Sequence, residues 1–117
     1  MTAQNTTDAL VGVRDPHELG RLLAAANTHP FCTGRFGRGV LEALRWALGH
    51  QVTAPITAIP LNGVLRPAQL RDEVDAARTE LLGHEGRTVE LDYARGVYEA
   101  LAWVCGHREH PPQTTGR

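Results

Sequence analysis

One helix is written twice in this chain. Residues 38–50 read RGVLEALRWALGH and residues 95–107 read RGVYEALAWVCGH, with nine of thirteen positions identical at an offset of 57. The shared positions are Arg38/Arg95, Gly39/Gly96, Val40/Val97, Glu42/Glu99, Ala43/Ala100, Leu44/Leu101, Trp46/Trp103, Gly49/Gly106 and His50/His107. Further out, Phe36 matches Tyr93 and Pro55 matches Pro112. Each copy follows another helical stretch, so duplication of a helix–loop–helix unit is the simplest account. A repeated unit must bury the apolar face of both copies in one core, which narrows the folds open to the chain.

Both copies read as α-helix. At about 100° per residue, Val40, Ala43, Leu44, Ala47 and Leu48 share one face, as do Val97, Ala100, Leu101, Val104 and Cys105. Leu41 or Tyr98 widens one edge and Trp46 or Trp103 the other. Only Glu42, Arg45 and Gly49 point away in the first copy. Ala102 replaces Arg45 in the second, leaving Glu99 as its sole charge there. Helices this apolar are expected to be buried nearly all round. Gly49 and Gly106 are placed to end them in a left-handed conformation, and Asp92 is the expected N-cap of the second. Gly39, Ala43 and Ala47 recur at four-residue spacing, as do Gly96 and Ala100. Glycine inside a helix costs roughly 1 kcal/mol against alanine, so the matched glycines predict a close crossing of the two helices about a local pseudo-twofold axis.

Two more helices flank these. Residues 15–26 have Asp15 as N-cap, Pro16 in the first turn and a stripe of Leu19, Leu22, Leu23 and Ala26. Residues 67–82 begin with Pro67 and carry Leu70, Val74, Ala77 and Leu81, with Asp72, Glu73 and Asp75 near the positive end of the dipole. Residues 51–66 hold Pro55 and Pro60, which forbid a long helix, yet are too apolar for a loose linker. They read as an extended strap over the core, with Asn62–Gly63 as a turn and room for a short hairpin. The expected fold is all-α: four helices, pairing 15–26 with 36–48 and 67–82 with 92–105, around the Pro-containing strap. It makes a single domain of residues 1–117, with repeat 1 at about 15–50, repeat 2 at about 67–107 and a disordered tail at 108–117.

The residues that could carry chemistry are few. Cys105, His107 and His110 give C-x-H-x-x-H, and His50 is the repeat partner of His107. Zinc needs three or four N or S ligands in tetrahedral reach, and here the thiol faces the core and no C-x-x-C accompanies it. His50 and His107 read instead as caps of the last carbonyls of their helices, and His110 lies in the tail. No metal or other cofactor is expected. Glu42 and Glu99 could meet across a pseudo-twofold and share acid–base work, but Arg38–Glu42 and Arg95–Glu99 read first as i,i+4 pairs. Cys32 lies in HPFCTGRFGR beside basic residues that can lower a thiol pKa, yet no catalytic signature surrounds it and the chain has no serine. Arg35, Arg38 and Arg45 form a basic patch suited to phosphate or to an acidic partner. A recognition helix needs an exposed polar face, which residues 36–48 lack, and a net charge of −1 supplies no bulk attraction to nucleic acid.

No apolar run reaches about 18 residues, so no membrane span is expected. The first residues, MTAQNTTDALVGV, have no basic start or long apolar run and do not read as a signal peptide. The expected compartment is the cytoplasm, with Cys32 and Cys105 as free thiols. All twelve basic residues are arginine, a bias of GC-rich genomes. The pattern G-V-x-x-A-L-x-W-x-x-G, followed later by proline, resembles short uncharacterised helical proteins of actinobacteria and their phages, a resemblance that implies no activity. The leading expectation is a non-enzymatic interaction or regulatory module of a mobile element, forming a homodimer. Its interface or core crossing would comprise Gly39, Ala43, Trp46, Gly96, Tyr98, Ala100, Ala102 and Trp103, with the side of Tyr98, Ala102 and Trp103 least protected. The alternatives are a nucleic-acid-associated regulator using the arginine patch and a small metalloprotein or enzyme.

Overall fold

The computed structural model describes residues 10–83 and 89–113. Among these there are four α-helices and no strand: α1 (Pro16–Ala26), α2 (Arg35–Ala47), α3 (Pro67–Leu81) and α4 (Leu91–Val104), with a 3-10 turn at Phe31–Thr33 before α2. Local chemistry sets the ends. The Asp15 carboxylate accepts from the His17 amide at 2.8 Å, and Glu18 accepts from the Asp15 amide at 3.2 Å, a capping box that starts α1. The backbone bond to His17 is the main reason the Asp15 carboxyl is held below its ordinary value. At α3, Pro67 fills the first position and the Gln69 side chain accepts from the Arg66 amide at 2.7 Å. Glu90, not the expected Asp92, caps α4, accepting from the Tyr93 amide at 3.1 Å. Asp92 falls inside the first turn, two residues past the cap position.

Helices α2 and α4 end alike. Gly49 (φ 82°) and Gly106 (φ 83°) take left-handed conformations. The Gly49 and Gly106 amides return to the Trp46 and Trp103 carbonyls at 3.0 Å, and the His50 and His107 amides to the Arg45 and Ala102 carbonyls at 2.8 Å. This is the double bond pattern of a Schellman end. It corrects the expectation that histidine side chains would cap these helices: the backbone amides bond the carbonyls, and both residues are exposed.

Helix α2 packs on α4; α4 also packs on α3, and α1 on α2. Val40, Ala43, Leu44, Val97, Ala100 and Leu101 are fully buried along the α2–α4 seam. The two helices approach through glycine. A Cβ on Gly39 would strike the Tyr93 carbonyl oxygen and lie 3.0 Å from the Val97 nitrogen; one on Gly96 would strike the Phe36 carbonyl oxygen and lie 3.0 Å from the Val40 nitrogen. Each contact is with backbone, so only residues without a Cβ permit it.

The N-terminal segment closes the end of α4. Residues 11–14 form a tight turn, bridged Val11 to Arg14, with Gly12 at φ 63°. The Val13 amide donates to the Val104 carbonyl at 2.9 Å, Arg14 Nε to the Trp103 carbonyl at 2.8 Å and Arg14 Nη2 to the Arg108 carbonyl at 2.9 Å. The Arg14 guanidinium also stands 4.8 Å from the centre of the Trp103 ring. The side of α4 expected to be least protected is therefore covered: Ala102 is 0% and Trp103 5% exposed. The last turn of a helix leaves carbonyls free, and this segment supplies donors to them. Residues 108–113, expected as the start of a disordered tail, fold back as well. The Arg108 amide reaches the Ala102 carbonyl at 3.3 Å, and Pro112 is buried.

Candidate functional site

The strap, residues 51–66, is where the sequence pattern was least readable, and the structure builds most of its polar chemistry there. Thr53 bridges Pro60. The Ala54 amide donates to Ile59 at 3.1 Å and the Leu61 amide to Val52 at 2.8 Å, closing a short hairpin-like loop. Ala58 turns it at a positive φ of 62°. Two prolines remove donors that a regular ladder would need, so side chains hold the loop instead.

Glu73 does most of this. It is 2% exposed, and its carboxylate accepts from the Ile56 amide, from the Thr57 amide at 2.9 Å and from the Thr57 hydroxyl at 2.9 Å. Three donors on one carboxylate satisfy a charge that burial would otherwise penalise. The sequence reading put Glu73 at the charged start of the helix. The available signal was its register, since position 73 falls on the apolar stripe of Leu70, Val74 and Ala77.

A second polar link lies beside it. The Tyr93 hydroxyl donates to Glu42 Oε1 at 2.6 Å and lies 3.2 Å from the Pro55 carbonyl. Burial first, then the Glu42 carboxylate, pushes the Tyr93 phenol well above its ordinary value, so it remains a donor. Glu42 is also 3.5 Å from Arg38, its i,i+4 neighbour. Glu99 does not join it; Glu99 lies 4.0 Å from Arg108, in place of the expected pairing with Arg95.

The arginine patch divides. Arg38 and Arg45 line a cleft of about 210 Å³ with Asn27, Cys32, Leu41 and Glu42, and Arg35 is exposed outside that lining. Glu42 sits between the two arginines along α2, so the patch carries a carboxylate at its middle. A polyanionic backbone would meet that charge in the same place.

The weak metal candidates do not converge. Among the described residues, no three His, Cys, Asp or Glu side chains lie where they could hold one metal ion. His50, His107 and His110 are exposed, and burial raises the half-buried Cys105 thiol pKa, which disfavours the thiolate a metal requires. Cys32 is half-buried and free.

A further concavity is apolar. A groove of about 370 Å³ runs between the N-terminal segment, the end of α2, the strap and the start of α3. Leu10, Val11, Leu48, Leu61, Val64 and Leu70 line it, and Leu10 and Val64 are 60% and 83% exposed. By contrast, Trp46 and Trp103, with Gly39, Ala43, Gly96, Ala100 and Ala102, are buried within this chain, and Tyr98 is half-buried. No helix among the described residues is long and apolar enough to cross a membrane. Comparison of the chain with protein-family models, with curated proteins and with solved structures found no match.

Proposed function

We propose that this chain is a non-enzymatic protein-interaction module of the cytoplasm that acts by pairing with a second copy of itself. One observation carries the reading: the apolar groove with Leu10 and Val64 standing exposed at its edges. Contiguous apolar surface on a small protein marks an interface more often than a chance exposure. A twofold dimer is the commonest way to cover such a surface, because one patch meets itself. The net charge of −1 opposes such pairing very little. On this reading the interface is the groove and not the side of Trp103, which Arg14 already covers. The same reading takes the helix pairs α1–α2 and α3–α4 as a duplicated unit about a local pseudo-twofold axis; the reciprocal contacts of Gly39 and Gly96 support it.

Sedimentation at micromolar concentration tests the pairing. The expected result is a species at twice the monomer mass of 12.8 kDa. Val64→Asp is expected to return it to monomer with its helical circular dichroism unchanged. A wild-type protein that stays at the monomer mass across that range overturns the reading.

A further inference from the structure

The walls of the apolar groove are held in different ways. Leu48 closes the end of α2 and Leu70 stands in the first turn of α3. Leu61 and Val64 belong to the strap, which Glu73 and Tyr93 tie to the helices. The remaining wall, Leu10, Val11 and Gly12, lies before α1 in no helix or strand. Its support comes from the end of α4. The Val11 amide donates to the Arg14 carbonyl at 2.8 Å and the Arg14 amide to the Val11 carbonyl at 3.0 Å, so Val11 moves with Arg14. Arg14 is fixed in turn by the carbonyls of Trp103 and Arg108 and by the Trp103 ring. Gly12 lies so close to α4 that an added Cβ would strike the Val104 carbonyl oxygen. Trp103, Val104 and Arg108 do not line the groove.

We propose that Arg14 is a positioning residue for self-association: its bonds to the end of α4 hold Leu10 and Val11 in place as the wall that the second copy meets. The proposal rests on the reading of the groove as the pairing face. Its physical basis is preorganisation, since a binding surface in place only part of the time loses affinity by that fraction. Twofold pairing needs the wall in both copies, so the dissociation constant rises as the inverse square of the fraction. A wall left in place about one third of the time weakens pairing about tenfold. Pairing thus depends on a contact that lies outside the interface.

Sedimentation of the full chain across a micromolar range, wild type beside Arg14→Gln, tests this. The expected result is a dimer about tenfold weaker in the variant, with its helical circular dichroism unchanged. Hydrogen exchange, measured below the dissociation constant, separates a released wall from a weakened core. The Val11 and Val13 amides should lose protection in Arg14→Gln, while those of Val40, Leu44, Val97 and Leu101 keep theirs. Gly12→Ala displaces the same segment without touching Arg14, so it should weaken pairing in the same way and carries the test if Arg14→Gln does not fold. Wild-type protein that stays monomeric overturns the pairing reading and this proposal with it. A variant dimer as tight as wild type overturns the proposal alone, as does weaker pairing accompanied by loss of protection throughout the chain.

Discussion

The Tyr93 hydroxyl donates to the Glu42 carboxylate at 2.6 Å, tying the first turn of α4 to the middle of α2. The same hydroxyl touches the Pro55 carbonyl, so one side chain joins two helices and the strap. Tyr93→Phe is expected to cost about 1.5–3 kcal/mol in chemical denaturation, the usual worth of a bond to a charged acceptor. The pH dependence has a definite direction. Burial and Glu42 raise the phenol above its ordinary value of 10.0, so folding favours the protonated form. That contribution is complete below pH 10 and is lost as pH rises beyond it. The wild-type denaturation midpoint should therefore fall more steeply above pH 10 than that of Tyr93→Phe. Parallel curves would show that the phenol is not coupled to folding.

Alanine at Gly39 or Gly96 is expected to destabilise the protein by about 1–3 kcal/mol, as an overpacked site does. The added carbon meets a backbone carbonyl of the facing helix, which a rotamer change cannot move. Gly20 supplies the control. It lies within α1 with nothing within 4 Å of an added carbon, so Gly20→Ala should stabilise by about 0.5–1 kcal/mol through helix propensity alone. The same substitution is expected to change sign with its neighbours, and thermal melts of the three variants measure it.

Glu73→Ala removes the acceptor for the Ile56 and Thr57 amides and the Thr57 hydroxyl. The expected cost is about 2–3 kcal/mol, since hydrogen bonds to charged groups are worth about 1.5–3 kcal/mol each and water recovers part of the loss. Hydrogen exchange gives a local readout: the Ile56 and Thr57 amides should lose protection far more than amides of the α2–α4 seam. Uniform loss across the chain would mean that Glu73 supports the core and not the strap.

Asp15→Ala should lower the melting temperature at neutral pH by removing the cap of α1. The Asp15 carboxyl is held below its ordinary value of 3.8. Its contribution is therefore present above that value and disappears as pH falls through the depressed one. Wild type and variant should converge in acid. A gap that persists at pH 2 would assign the loss to something other than the ionised cap.

The helices were legible because their information is local. Asp15–Pro16, Pro67, Gly49 and Gly106 act within a turn of themselves, and the apolar stripes repeat with the helical period. The matched glycines were legible because the motif occurs twice. What escaped depends on partners far apart in the chain. Glu73 finds Thr57 sixteen positions away, Tyr93 finds Glu42 fifty-one away and Arg14 finds Trp103 eighty-nine away. None of these pairs leaves a periodic trace. The uncovered side of α4 was misjudged for the same reason: Val13 and Arg14 carry no pattern, yet they reach the free carbonyls at its end.

The glycine crossing also constrains the descent of this protein. Each glycine faces the backbone of the other helix, so no compensating side-chain change elsewhere can make room for a larger residue. The two positions are held jointly, while the loops between them can lengthen or shorten and the outer faces can drift. A lineage that preserves this packing can diverge past the point where overall identity is visible and still carry two tryptophan-bearing helices, each with glycine seven residues before the tryptophan. That pair, searched for without a fixed separation, is a more durable marker of kinship than any surface residue of the chain.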